Sequence, residues 1–193
     1  MTTTRDAMQT SNFPGVLSLK LRYFRDSRGY FVETYNTRTA RAEGLTAEFV
    51  QDNQAFSVKV GTVRALHFQV PPHAQAKLVR VLRGAIYDVA VDLRVGSPTY
   101  GRWTAATLTA SGGEQVFVPR GFAHGYCTLE PNTEVAYKVD DYYEPDCEQG
   151  LIWNDPTLAI DWPVAADVVL SEKDSKLPHF AGFTSPFHYG TTE

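Results

Sequence analysis

Apolar residues recur at every second position near the start of the chain. Leu17, Leu19, Leu21 and Tyr23 do so within VLSLKLRYF (16–24), the period of a half-buried strand. RDSRG (25–29) then reads as a turn and YFVETY (30–35) as the returning strand. NTRTARAEG (36–44) is the best helix candidate, with Asn36 or Thr37 to cap its start and Gly44 to end it. It is short and mostly polar, which places it on the surface. From 46 onward strand patterns follow closely: AEFVQDN, TVRALHFQV, AKLVRVLRG, AIYDVAVDL, GRWTAATLT, EQVFVP, GYCTLE and TEVAYKV. Gly, Pro, Ser and Asn turns separate them. Short strands in such number with little helix predict a sandwich or barrel. LRVGSPTYG and the stretch after 141 read as loops. Residues 150–180 show no clear period; Trp153, Ile160, Trp162 and Val169 are expected to pack this stretch over the barrel, with short helical turns. Residues 181–193 carry little to order them and read as a flexible tail.

Composition narrows the class. The 193 residues suit a single domain, taken as 1–180, and 43% are hydrophobic against 21% charged. The net charge of 18 − 22 = −4 argues against a general binder of nucleic acid or of a membrane surface. The first residues, MTTTRDAMQTSNFP, contain no apolar signal core, and no apolar run reaches 18 residues. Cys127 and Cys147 are the only cysteines. They are expected to be inert thiols in a reducing cytoplasm rather than a disulfide framework.

One spacing carries chemistry. Gly113, Pro119, Gly121 and His124 resemble the second sequence motif of cupins, small double-stranded β-helix barrels in which the His enters a strand facing the interior. The first cupin motif normally runs from a Gly to His-x-His and a downstream Glu. Here Gly61 is followed by His67-Phe68-Gln69, so an amide stands where a second His would be, and Lys77 falls near the acidic position. A metal wants about three or four N/O ligands on adjacent strands, and an ammonium beside a divalent cation is repulsive. No metal is therefore expected. His73, His179 and His188 read as solvated loop or tail residues.

At VRALHFQVPPHAQAKLVRVLRGAIYDVAVDLRVGSPTYGRW (63–103) the resemblance becomes specific. The chain resembles the dTDP-4-dehydrorhamnose 3,5-epimerase family, metal-independent cupins of sugar-nucleotide metabolism. The match continues in RDSRGYFVETYN (25–36), FVQDNQAFS (49–57), VPRGFAHGY (118–126), AYKVDDYYEP (136–145), GLIWNDP (150–156) and LSEKD (170–174), about residues 14–178 in all. It implies an all-β cupin-type jelly-roll barrel with short peripheral helices, a homodimer, a dTDP-4-keto-6-deoxyglucose substrate and no cofactor.

The implied reaction inverts C3 and C5, both α to the C4 ketone. It needs a base, an acid on the opposite face, and a positive group near the keto oxygen. His67 matches the family base and Asp174 the carboxylate that holds it, a pairing that spacing alone could not suggest across 107 residues. Tyr137 matches the acid. Strand alternation puts Val135, Tyr137 and Val139 on one face and Lys138 on the other, which leaves Lys138 structural. Lys77 matches the cation at the sugar, and Arg64 a phosphate contact. In a regular strand Arg64 and His67 point to opposite faces; either a bulge intervenes or Arg64 acts from the strand's mouth. His124 is expected to line the same cavity.

Arg28 and Glu33 match ligand contacts supplied by the partner subunit, through an N-terminal hairpin (1–35) that crosses the dimer with swapped strands. Gln51 and Asn53 fit nucleotide or sugar contacts, and Tyr143, Glu148 and Lys173 are further matches at the rim. Ala65 departs from the family's usual Arg-Gly-Leu-His. Its methyl is harmless on an outward face, or it narrows the pocket or shifts Arg64. Single inversion of a related dTDP-4-keto sugar therefore stays open, as do a non-catalytic sugar-nucleotide-binding cupin and a metal-dependent cupin oxygenase.

Overall fold

The computed structural model describes residues 13–164 and 167–190. Two five-stranded antiparallel sheets face each other. The first has the order β1 (Leu17–Lys20), β9 (Glu114–Val118), β6 (Lys77–Arg83), β11 (Thr133–Val139), β4 (Gln51–Ser57). The second has β12 (Glu148–Gly150), β5 (Val63–Gln69), β10 (Phe122–Thr128), β7 (Ala85–Asp92), β8 (Trp103–Thr109). A two-stranded ribbon, β2 (Tyr23–Asp26) and β3 (Gly29–Val32), stands apart from both. This is the jelly-roll architecture expected. The single long strand expected over 16–24 is broken between Lys20 and Tyr23, and the ribbon's turn tightens to Ser27-Arg28. β1 pairs with β9 of its own chain, while the ribbon pairs with neither sheet and is tied back by the Tyr23 hydroxyl to the Ala110 carbonyl at 3.2 Å.

Alternation sorts side chains into layers. The inner faces bury Val79, Val81, Ile86, Ala90, Leu108, Val116, Phe122 and Val135 between the sheets. The outer face of the second sheet is also covered: Val63, Ala65, Leu66, Phe68, Val89, Val91, Ala123 and Cys127 pack with Leu151, Leu158, Trp162 and Phe187 from the C-terminal segment. Cover on both faces explains why β7 and β10 are almost continuously buried and carry apolar residues at inner and outer positions alike. Helix α1 (Thr37–Ala42) lies on the first sheet's outer face, where Ala40 and Leu45 meet Ala76, Leu78 and Phe117. Asn36 is its N-cap, accepting from the Arg38 and Thr39 amides, and Gly44 follows its end with φ +85°.

The tail departs from expectation. Residues 191–193 lie outside the described residues, but 183–190 are docked. Phe187 is 1% exposed in the outer core, Ser185 donates its hydroxyl to the Leu93 carbonyl, and His188 bridges to Val95. Arg94 is the organiser. Its guanidinium grips the buried Asp92 at 2.8 and 2.9 Å, donates to the Pro14 carbonyl at 2.9 Å, and lies 5.0 Å from the centre of the Tyr189 ring. One cation thus ties both ends of the chain to the loop after β7, which sequence-local composition does not reveal. Phe187→Ala should lower unfolding stability by about 3–5 kcal/mol in urea titration. A loss within ~0.5 kcal/mol, the range of surface changes, would show that the tail is not part of the core.

Candidate active site

A cavity of about 370 Å³ opens into the barrel, lined by Ala55, Arg64, His67, Lys77, His124, Tyr126, Tyr137, Ser171 and Asp174, among others. A larger groove of about 610 Å³ lies on the outer side of the first sheet, between β1, Phe24 and α1, but brings together none of the paired acid–base groups.

The bulge is present in β5. His67 pairs with His124 and Arg64 with Tyr126, so β5 spends three steps where β10 spends two. The extra residue sends Ala65 and Leu66 both to the outer core and returns Arg64 and His67 to the inner side. Ala65 is fully buried against Gly125, where an added Cβ would stand 2.8 Å from the Ala65 Cα and 2.9 Å from the Arg64 carbonyl. The methyl that replaces the family glycine therefore packs outward against a glycine and does not narrow the cavity.

His67 Nε2 meets Asp174 Oδ1 at 2.9 Å. Asp174 is buried, and its amide is capped by Ser171 Oγ at 3.0 Å. Burial alone would raise the Asp174 pKa. Hydrogen bonds from His67, Ser171 and the Ala65 amide outweigh it and hold the carboxyl below its ordinary range. The segment carrying Asp174 is fastened to β5 by the Val63 amide to Val169 carbonyl bond at 2.9 Å and the Val169 amide to Gly61 carbonyl bond at 3.0 Å. With Nε2 engaged, Nδ1 is the ring nitrogen left to take a proton.

Tyr137 faces this pair from the opposite sheet, on β11, beside Asn53 of β4. Burial raises its pKa, Arg64 opposes the rise and Glu148 adds to it. Lys138 points away and binds Asp52 at 2.7 Å, as alternation requires. Lys77 donates to the His67 carbonyl at 3.2 Å. Burial lowers its pKa to about 8 against the pull of Asp88 and Glu148. His124 lines the cavity with Nε2 2.8 Å from Asp88, a second buried His–Asp pair.

The rim residues form one chain of contacts. Tyr143 donates its hydroxyl to Glu148 at 2.7 Å, Lys173 pairs with the same carboxylate at 2.5 Å, and Gln51 accepts from the Tyr143 amide while bonding Asn53. Arg28 and Glu33 are not brought to this cavity. Arg28 binds Asp26 at the exposed ribbon tip, and Glu33 holds Asn36 on the outer groove.

Two readings change. His73 and His179 are not merely solvated: they pair with Asp141 at 3.4 Å and Asp155 at 3.0 Å. Gln69, noted only for displacing a metal ligand, is a clamp. It donates to the His73 and Tyr142 carbonyls and accepts from the Glu144 amide, and so anchors the loop that carries Tyr143. Two of the three backbone partners lie more than 70 residues away, and leave no sequence signal. Among the described residues no three His, Cys, Asp or Glu side chains gather as metal ligands would.

A family model described as dTDP-4-dehydrorhamnose 3,5-epimerase matches residues 10–182. The chain belongs to the dTDP-4-dehydrorhamnose 3,5-epimerase family. It is 46% identical over 181 residues to the dTDP-4-dehydrorhamnose 3,5-epimerase of Sinorhizobium fredii, covering 94% of this chain and 93% of that one. The crystal structure of the Bacillus anthracis 3,5-epimerase with TDP and PPi bound superposes with a TM-score of 0.86 at 50% identity, covering 90% of this chain and 99% of the other. The Legionella pneumophila epimerase in complex with dTDP-4-keto-L-rhamnose gives 0.87 at 38% identity, covering 92% and 94%.

Proposed function

We propose that this chain inverts C3 and C5 of dTDP-4-keto-6-deoxyglucose. The observation that carries the reading is His67 on one sheet, held by Asp174 from the C-terminal segment and facing Tyr137 and Lys77 on the other sheet across a single cavity, in a chain of this family. In the proposed mechanism His67 Nδ1 removes the hydrogen α to the ketone, and the C–H electron pair becomes an enolate. Asp174 stabilises the imidazolium that forms and fixes its orientation. The Lys77 ammonium offsets charge developing on O4. Tyr137 gives a proton to carbon from the other face and recovers one from solvent, while His67 releases to solvent the proton it removed. The sequence of steps is then repeated at the second carbon. Protons balance the reaction, with no net oxidation. Double inversion is the favoured outcome because the Ala65 methyl lies outside the cavity.

Arg64 is assigned to the phosphates, His124 to a sugar oxygen, and Gln51, Asn53, Tyr143, Glu148 and Lys173 to the rim that meets the nucleotide sugar. A second copy of the chain completes the site. The ribbon exposes Phe24, Tyr30 and Phe31 at 50, 60 and 70%, together with Arg28 at its tip, and a partner that covered this apolar surface would receive Arg28 and Glu33 in its own cavity. A cytoplasmic setting fits the two unpaired thiols. No helix of the described residues is long and apolar enough to cross a membrane.

The first test is incubation with dTDP-4-keto-6-deoxyglucose in D₂O, followed by NMR. Deuterium should enter at both C3 and C5, and His67→Ala should lose this exchange by about 10²-fold or more while still binding dTDP. Label at C3 alone would reduce the activity to a single inversion, and no label would refute the epimerase. For Lys77, kcat/KM should fall as pH rises through about 8, where the ammonium loses its proton. Lys77→Arg should move that limb upward, and an unmoved limb would assign it to another group. For the dimer, His67→Ala and Arg28→Ala should each be impaired alone. After mixing and subunit exchange they should regain activity, because each mixed dimer holds one site with both residues intact. No recovery would confine Arg28 to its own subunit.

A further inference from the structure

Tyr126 is 5% exposed, and its hydroxyl is the one buried side-chain polar atom among the described residues without a hydrogen bond of good geometry, the Ser57 hydroxyl acting on it only weakly. Its ring packs with Val79, Val81, Ile86 and Val135 between the sheets, a role that a phenylalanine would fill as well. The hydroxyl therefore requires a reason of its own, since leaving one buried and poorly paired is costly. Tyr126 also lines the cavity, between Arg64 on β5 and Asp88 on β7, its cross-strand partners.

We propose that the Tyr126 hydroxyl is a further substrate-binding group, donating a hydrogen bond to the diphosphate of the bound nucleotide sugar beside Arg64. This rests on the nucleotide-sugar reading above. Two features select an anionic oxygen as the acceptor. First, burial pushes the phenol pKa up to about 12 against the pull of Arg64 and of the Ser57 hydroxyl, so the group is a neutral donor at physiological pH. Second, Arg64 stands next to it in search of a better partner. Among the described residues its guanidinium reaches only neutral oxygens, Ser57 Oγ at 3.4 Å and the Phe56 carbonyl at 3.2 Å. A phosphate would draw it from both with shorter, charge-assisted bonds. The diphosphate then pairs the cation and the buried hydroxyl together. A sugar hydroxyl would satisfy Tyr126 but leave Arg64 where it is.

The test is Tyr126→Phe, measured in the full chain by urea unfolding and by calorimetric titration with dTDP and with thymidine. The free variant should be at least as stable as the wild type, because the poorly paired hydroxyl is gone. Its Kd for dTDP should rise about tenfold or more, with thymidine binding unchanged. Equal dTDP affinity in variant and wild type would overturn the inference. So would a loss of stability, which would show that the hydroxyl is partnered in the free protein, or an equal loss for thymidine, which would move the contact off the diphosphate. A wild type that binds no dTDP would instead sink the nucleotide-sugar reading itself, and this inference with it.

Discussion

The hydrogen bond between His67 and Asp174 holds the site together. It joins the middle of β5 to a segment 107 residues later, and a carboxylate this deeply buried has to be partnered to stay ionised. The partner is the imidazole that faces the cavity. One contact therefore orients the proposed base and supplies the hydrogen bond that the buried carboxylate needs. It also closes the cavity wall, because the same segment contributes Val169, Leu170 and Ser171 to the lining. Its dependence on pH has a definite sign. The folded pKa of Asp174 is depressed, so its contribution to stability is complete above the unfolded value of about 4 and fades as pH falls through the lower folded value. Acid should thus loosen the C-terminal segment and disable the base together.

The bulge in β5 is the second constraint, and it solves a problem of parity. A strand offers one inner residue in two, and Arg64 and His67 have opposite parity. The extra residue restores both to the cavity and hands Ala65 and Leu66 to the outer core. That solution needs a facing strand with no side chain to clash, and Gly125 supplies it. The substituted Ala65 is tolerated for the same reason. Its methyl adds apolar contact to a layer already containing Leu151 and Trp162, on the side of the strand remote from substrate.

What the chain discloses before folding follows from the range of each interaction. Most strands, the helical cap at Asn36 and the inward set of β11 are local, and period and turn chemistry were enough to find them; the three-residue β12 in the stretch read as loop was not found. The family motifs then named His67, Asp174, Lys77 and Tyr137, which the fold gathers in one cavity. Other features were illegible because their partners are remote. The Arg94 clasp on Pro14 and Tyr189, the Gln69 clamp on the loop of Tyr142 and Glu144, and the docking of Phe187 all join segments far apart in sequence. The buried hydroxyl of Tyr126 belongs here too: a Tyr at an inward strand position reads as core, and only the geometry shows that its polar atom lacks a well-formed hydrogen bond.

Lys77 shows how a barrel of this kind changes its chemistry. The pattern that elsewhere places metal ligands on adjacent strands here places an amide committed to three backbone groups and a lysine. The lysine is itself the cation. It is buried enough to lower its pKa, yet flanked by Asp88 and Glu148, whose fields keep the ammonium form in play near neutrality. A fixed monopositive charge of this kind can stabilise an enolate oxygen. It offers no open coordination position and no redox couple, so the chemistry within its reach is proton transfer. The two His–Asp pairs and the phenols around it are groups of the kind that proton transfer uses.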